Sequence, residues 1–230
     1  MGKETEQKQE IVNQGVHTYS QEEAYVWPEE SVLREQLEWF QDQKLALMVH
    51  WGVYNQLGMV ASWALSDEDA EWSRKTVDWT DDGEVFKRQY RALNRAFDPV
   101  AFQPEEWAKM AKECGFRYLI LTTKHHDGFC LWDTAYTEYK TTAEKCPFHT
   151  HKYADIVRAM FDAFRKEGLG IGAYFSKADW HCPDYWEKEK VFTGKTTRNP
   201  TYDPKENPEA WERFRAFTRD QILELGKQYG

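Results

Sequence analysis

The chain has 230 residues, of which 41% are hydrophobic and 30% charged, an ordinary globular composition sufficient for one large domain or two small ones. Its formal charge of −9, with no basic patch or basic helix, argues against nucleic acid and anionic membrane surfaces as partners. No apolar run approaches the length of a bilayer, so no transmembrane span is expected.

Residues 1–30 read as a polar tail, and residues 31–230 as one catalytic-type domain. The opening MGKETEQKQEIVNQGVHTYSQEE has no apolar segment of the signal-peptide kind, and Glu6 stands where myristoylation of Gly2 would want Ser or Thr. The compartment stays open: cytoplasmic as read, or periplasmic, lysosomal or secreted if a signal was trimmed. From Ser31, a plausible N-cap, Val32, Leu33, Leu37 and Phe40 recur at helical spacing. Leu45–Gly52 is a short apolar run ending in His50 and Trp51. Tyr54–Asp82 carries Trp63, Trp72 and Trp79 among acids, without dependable periodicity, and a connection that long is functional or conceals structure.

Phe102–Gly115 predicts a helix, with Pro104 in its first turn, Glu105 and Glu106 at its positive end and Gly115 closing it. It leads into Tyr118–Trp132, YLILTTKHHDGFCLW, whose β-branched start suits a strand buried on both faces and whose end collects Lys124, His125, His126, Asp127 and Gly128. Tyr153–Glu167 predicts a second helix with Ile156, Val157, Met160, Phe161 and Phe164 on one face, ending at Gly168. Leu169–Ser176 follows as a third strand closing on KADWHCPDY. Beyond a loop punctuated by Pro183, Pro200, Pro204 and Pro208, a last helix covers Glu209–Lys227.

Helix, strand and loaded loop in repetition predict a parallel α/β fold. A (β/α)8 (TIM-like) barrel is favoured because it spreads a site over the C-terminal ends of many strands; three strands would be less than half of one. A doubly wound sheet is the runner-up, although no strand is followed by a glycine-rich phosphate fingerprint. The four cysteines stand far apart and read as reduced, packed thiols. The aromatic load of 11 Trp, 12 Tyr and 13 Phe fits core filling, or a cleft where flat faces meet sugar rings.

His125 and His126 can both enter one pocket only if the strand has already ended, as Asp127 and Gly128 suggest, and His50 repeats the pattern. A metal-dependent hydrolase built on His149-x-His151, with Cys182 beside His181, is a weaker reading. That pair sits in a loop led by Pro147, away from any strand end and without paired acids. The metal reading is therefore discounted.

MVHWGVY, FDPVAFQPEEWAKMAKECGFRYLILTTKHHDGFCLWDT and GIGAYFSKADWHCPDYW, in this order, resemble the α-L-fucosidases of glycoside hydrolase family 29 through most of Leu45–Gly230. The resemblance implies a (β/α)8-like catalytic domain, usually followed by a β-sandwich, that removes terminal α-L-fucose from fucosylated glycans with retention, through a carboxylate nucleophile and a second carboxyl acting as acid then base. It further implies that no metal or organic cofactor takes part, that His50, His125 and His126 bind fucose hydroxyls, that Tyr174 shares their pocket, and that Trp51, Trp63 and Trp180 are wall candidates. Two departures stand out. Ser62-Trp63 replaces a family Glu-Trp, leaving that polar contact to Glu68 or Glu71 or unmade. The family nucleophile and acid/base would fall beyond Gly230, so that this chain corresponds to the front of the domain and is expected to be inactive alone. From the residues themselves, Asp127 and Asp179 are an alternative catalytic pair, and a lectin-like fucose binder is an alternative function. Aglycone, linkage and oligomeric state stay open.

Overall fold

A computed structural model describes residues 26–75 and 77–230. Most of the expected polar tail, with Gly2 and Glu6, lies outside the described residues. These fall into two units, one ending at Asp42 and the other running from Gln43 to Gly230. The first contains helix α1, Ser31–Asp42, as the spacing predicts, with an Arg34–Glu38 ion pair one turn apart at 3.9 Å.

The second unit is built on three strands, β1 (Ala46–Val49), β2 (Tyr118–Lys124) and β3 (Gly170–Phe175), all parallel and ordered β1-β2-β3. Ala46 is in register with Tyr118, and Tyr118 with Gly170, so the three C-terminal ends come out side by side. The strand expectations therefore hold. Burial on both faces, however, is reached only in the second half of β2: Leu119 and Leu121–Lys124 are buried while Tyr118 and Ile120 on the other face are partly exposed, and Met48 of the outer strand β1 is half exposed.

Between the strands, the chain forms α2 (Ala70–Ser73), α3 (Gly83–Arg91), α4 (Pro104–Glu113) and α5 (Ile156–Lys166), and after β3 it forms α6 (Lys188–Thr193) and α7 (Pro208–Tyr229). The long connection thus conceals structure: 3₁₀ turns at Val53–Leu57 and Ser62–Leu65, the single turn α2, and α3 at its far end. Helix α3 is started by Asp82, whose carboxylate accepts the amides of Glu84 and Val85 at 2.8 and 3.1 Å. Asp155 caps α5 and Asn207 caps α7 in the same way. Gly115 and Gly168, at φ 84° and 76°, close α4 and α5 in the left-handed conformation that glycine adopts without strain. Helices α4 and α5 pack together, and α5 leans on β2 and β3 through Ile156, Val157, Met160, Phe161 and Phe164, all buried.

Among the described residues no helix is long and apolar enough to cross a membrane. Cys130, Cys146 and Cys182 are buried free thiols, and Cys114 is exposed.

Candidate functional site

The three strand ends put the predicted histidines within ring contact. His50 follows β1, and its ring centroid lies 4.9 Å from that of His125 and 6.1 Å from Tyr174 on β3. His125 and His126 follow β2, 4.5 Å apart and steeply inclined, which neighbouring residues manage because the strand has ended. Trp63 approaches His126 at 4.8 Å, Trp180 lies over His126 at 4.9 Å, and the two indoles meet at 5.8 Å. Three histidines, a tyrosine and two tryptophans from four chain segments thus share one cluster. Trp51 sits elsewhere, packed on Phe97, Phe102 and Trp107.

The surroundings hold the imidazoles neutral. Burial, reinforced by the two neighbouring histidines, pushes His125 down to about 2, burial takes His126 to about 4, and it lowers His50 too. A neutral imidazole offers one donor and one acceptor, the complement that sugar hydroxyls need. On the protein side, His125 Nδ1 pairs with Ser62 Oγ and His50 Nδ1 with the Tyr54 hydroxyl, each at 2.5 Å. His126 Nδ1 is buried without a protein partner.

Ser62 therefore stands behind His125 instead of reaching outward. Glu68 accepts the Arg198 amide at 3.0 Å. Arg198 itself grips Asp69 with two hydrogen bonds and lies 4.6 Å above the Trp63 ring, so one guanidinium fixes the indole by charge and by stacking. Nothing local in the sequence marks Arg198, 135 residues beyond Trp63. Trp180 is backed by Trp186, stacked at 4.8 Å and 4°, which the sequence also leaves unmarked.

Asp127 and Asp179 are buried and bound inward. Asp127 accepts the Phe129 amide at 3.1 Å, the turn-capping role open to it in the sequence, and the Tyr90 hydroxyl at 2.8 Å. Burial raises its carboxyl to about 7. Asp179 accepts the amides of His181 and Cys182 and pairs at 2.9 Å with the fully buried Lys124, which also donates to Gln221 of α7. Burial pushes the Asp179 carboxyl up, but Lys124 outweighs it and leaves it below the usual carboxylate range. Gly128, at φ 80°, lies where an added Cβ would meet Asp179 and come within 2.7 Å of His181 Cβ, so the backbone of the loop after β2 packs there against side chains of the loop after β3.

His149 and His151 do not converge: His149 Nδ1 lies 2.8 Å from the Cys146 carbonyl, while His151 stacks on Phe148 and accepts the Tyr153 amide. Among the described residues no group of three or more His, Cys, Asp or Glu could hold a metal ion.

The sequence profile of a family described as Alpha-L-fucosidase matches residues 12–230. The tissue alpha-L-fucosidase of Rattus norvegicus is 29% identical over 189 residues, 82% of this chain and 39% of the relative. Among solved structures, alpha-L-fucosidase isoenzyme 1 from Paenibacillus thiaminolyticus aligns with a TM-score of 0.61 and 32% identity, covering 85% of this chain and 41% of its own. Alpha-L-fucosidase AlfC from Lactobacillus casei, solved with its alpha-L-fucose product, aligns with a TM-score of 0.62 and 29% identity over 85% of this chain and 58% of its own. The chain thus spans about two fifths of the length of the rat relative.

Proposed function

Because this chain belongs to the α-L-fucosidase family, we propose that it carries the sugar-recognising part of a site that hydrolyses terminal α-L-fucosides of fucosylated glycans with retention. The observation behind the reading is the cluster of His50, His125, His126 and Tyr174 at three adjacent parallel strand ends, walled by Trp63 and Trp180. Neutral imidazoles with one nitrogen tied back by Ser62 or Tyr54 hold the other in a fixed direction, and the tryptophan faces suit the C–H face of a pyranose. The sequential parallel order supports a (β/α)8 architecture, in which a site is assembled from many strand ends.

Retaining hydrolysis needs one carboxylate to attack the anomeric carbon and a second carboxyl, about 5–5.5 Å away, to protonate the leaving oxygen and then deprotonate water. Asp127 and Asp179 do not suit these tasks, since each is buried and engaged by internal donors. We therefore take neither acid as a catalytic carboxyl and give this chain binding and orientation. The inward-bound acids also favour a second reading, a lectin-like binder of fucose.

The test titrates the chain with L-fucose while an aryl α-L-fucoside assay runs on the same preparation. Saturable binding without turnover is expected. Absence of binding overturns the recognition reading, and turnover that disappears in Asp127→Asn or Asp179→Asn returns the chemistry to those acids. A form that also contains the residues matching the rest of the family separates enzyme from binder: the first cleaves, the second does not.

A further inference from the structure

Successive residues of the loop after β3 face different groups. Trp180 stacks on His126 in the cluster above, whereas His181 lies flat on Tyr139, 4.2 Å away at 5°. Around this second pair is a recess of about 310 Å³, formed by the end of α3 with the turn after it, the 137–145 loop and His181.

Its charge is opposite to that of the whole chain. Arg91, Arg95 and Lys145 line it and have no ion-pair partner among the described residues, against the single carboxylate of Glu138. Arg88 also reaches it but is already paired with Glu84 at 2.7 Å. Arg91 is the unusual member: one guanidinium nitrogen donates to the Trp180 carbonyl at 2.5 Å, and burial lowers the group from the usual guanidinium range although the Asp179 charge works against it. Tyr139 is 5% exposed and gives the recess its ring, the hydroxyl being sealed from solvent within reach of the Asp127 and Asp179 charges.

We propose that this recess is a binding site for one oxyanion group, a sulfate ester or carboxylate borne by a saccharide, with Arg91, Arg95 and Lys145 supplying the charge. Hydrogen bonds to an ionised acceptor are the strong ones, and an arginine fork fits both a planar carboxylate and a tetrahedral sulfate. Oxyanion recognition here does not depend on the fucoside reading. A ligand could reach this recess whether or not the histidine cluster holds fucose.

The probes are inorganic sulfate, D-glucuronate, D-galactose 6-sulfate and neutral D-galactose, titrated calorimetrically into the 230-residue chain at low ionic strength. One saturable site is expected for each anion and none for galactose. Tighter binding of galactose 6-sulfate or glucuronate than of sulfate assigns the site to a sugar-borne anion, and equal binding assigns it to the free ion. The Arg95→Ala, Lys145→Ala double variant, altered only at exposed positions, should weaken anion binding by about tenfold or more, whereas Tyr139→Phe, which removes a hydroxyl sealed from the recess, should leave it unchanged. Equal binding of galactose and the anions, no saturable binding of any anion, or an affinity unchanged in the double variant would each overturn the site. L-fucose binding, measured in parallel, should be unaffected by these changes, so a failure of this site and a failure of the fucoside reading are told apart.

Discussion

The amide of Trp180 donates to the carbonyl of His126 at 2.7 Å, and their side chains stack at 4.9 Å, so the loop after β3 is registered on the loop after β2 by backbone and by ring at once. Immediately beneath this double tie lies the buried Lys124–Asp179 pair, which joins the end of β2 to the turn carrying Trp180. The walls of the cluster are thus positioned by groups that do not belong to it.

Lys124→Met should be severely destabilising, by about 3–5 kcal/mol, because it leaves the Asp179 carboxylate buried without its counter-charge. Asp179→Leu alone should cost as much for the converse reason. Combined with Lys124→Met it should cost less than the sum of the two. Urea unfolding of the three variants checks this, and strictly additive losses would show that the pair is not coupled.

Acidification should destabilise the fold well before its ordinary carboxylates titrate. His125, His126 and His181 hold folded values of about 2, 4 and 4, so between pH 6.5 and 4 the unfolded chain binds three protons that the native chain refuses. Asp127, raised to about 7 from 3.8, works the other way: its native carboxyl keeps a proton that the unfolded one releases, so its contribution falls as pH rises from 4 to 7. Three against one leaves a net loss of about 2–3 kcal/mol per pH unit as pH falls from 6.5 to 4. Asp127→Asn, which removes the opposing group, should steepen it. Denaturant unfolding at half-unit pH steps measures the slope, and a stability flat or rising toward pH 5 would contradict it.

His126→Phe keeps an aromatic ring for Trp180 and deletes the buried Nδ1 that lacks a protein partner. Stability should hold or increase, while L-fucose affinity should fall by about 10- to 100-fold, the loss expected when a sugar hydroxyl loses its only partner in a dry site. Ser62→Ala should give a smaller loss of affinity, since His125 remains but is no longer held in place through Nδ1. Calorimetric titration of both variants beside melting curves separates recognition from stability.

Gly128→Ala should cost more than the roughly 1–2 kcal/mol of a side chain in the left-handed region, because its new methyl group also meets Asp179 and His181. Gly58→Ala, at φ 67° with nothing within 4 Å of the added carbon, carries the conformational cost alone and is the control. Equal melting temperatures for the two variants would mean that the loop contact at Gly128 yields freely.

The sequence by itself determined the three parallel strands, four of the helices, three of which begin on a cap or proline and end near a glycine, and the placing of His50, His125, His126 and Tyr174 at strand ends. All of these rest on periodicity and on capping groups within a turn or two of each other, so the signal is local. Helix α3 escaped this reading because it buries Phe86 and Tyr90, a turn apart, together with the charged Lys87, too narrow an apolar stripe to stand out in a polar stretch. Only the tertiary structure decided that Ser62 faces His125, that Arg198 lies on Trp63, that Trp51 packs away from the cluster, and that Asp127 and Asp179 turn inward to Tyr90 and Lys124. Each of these is set by a partner about 40 or more residues away. Which way a carboxylate or an indole turns depends on the charge and burial that distant segments bring to it, and spacing along the chain carries no record of that.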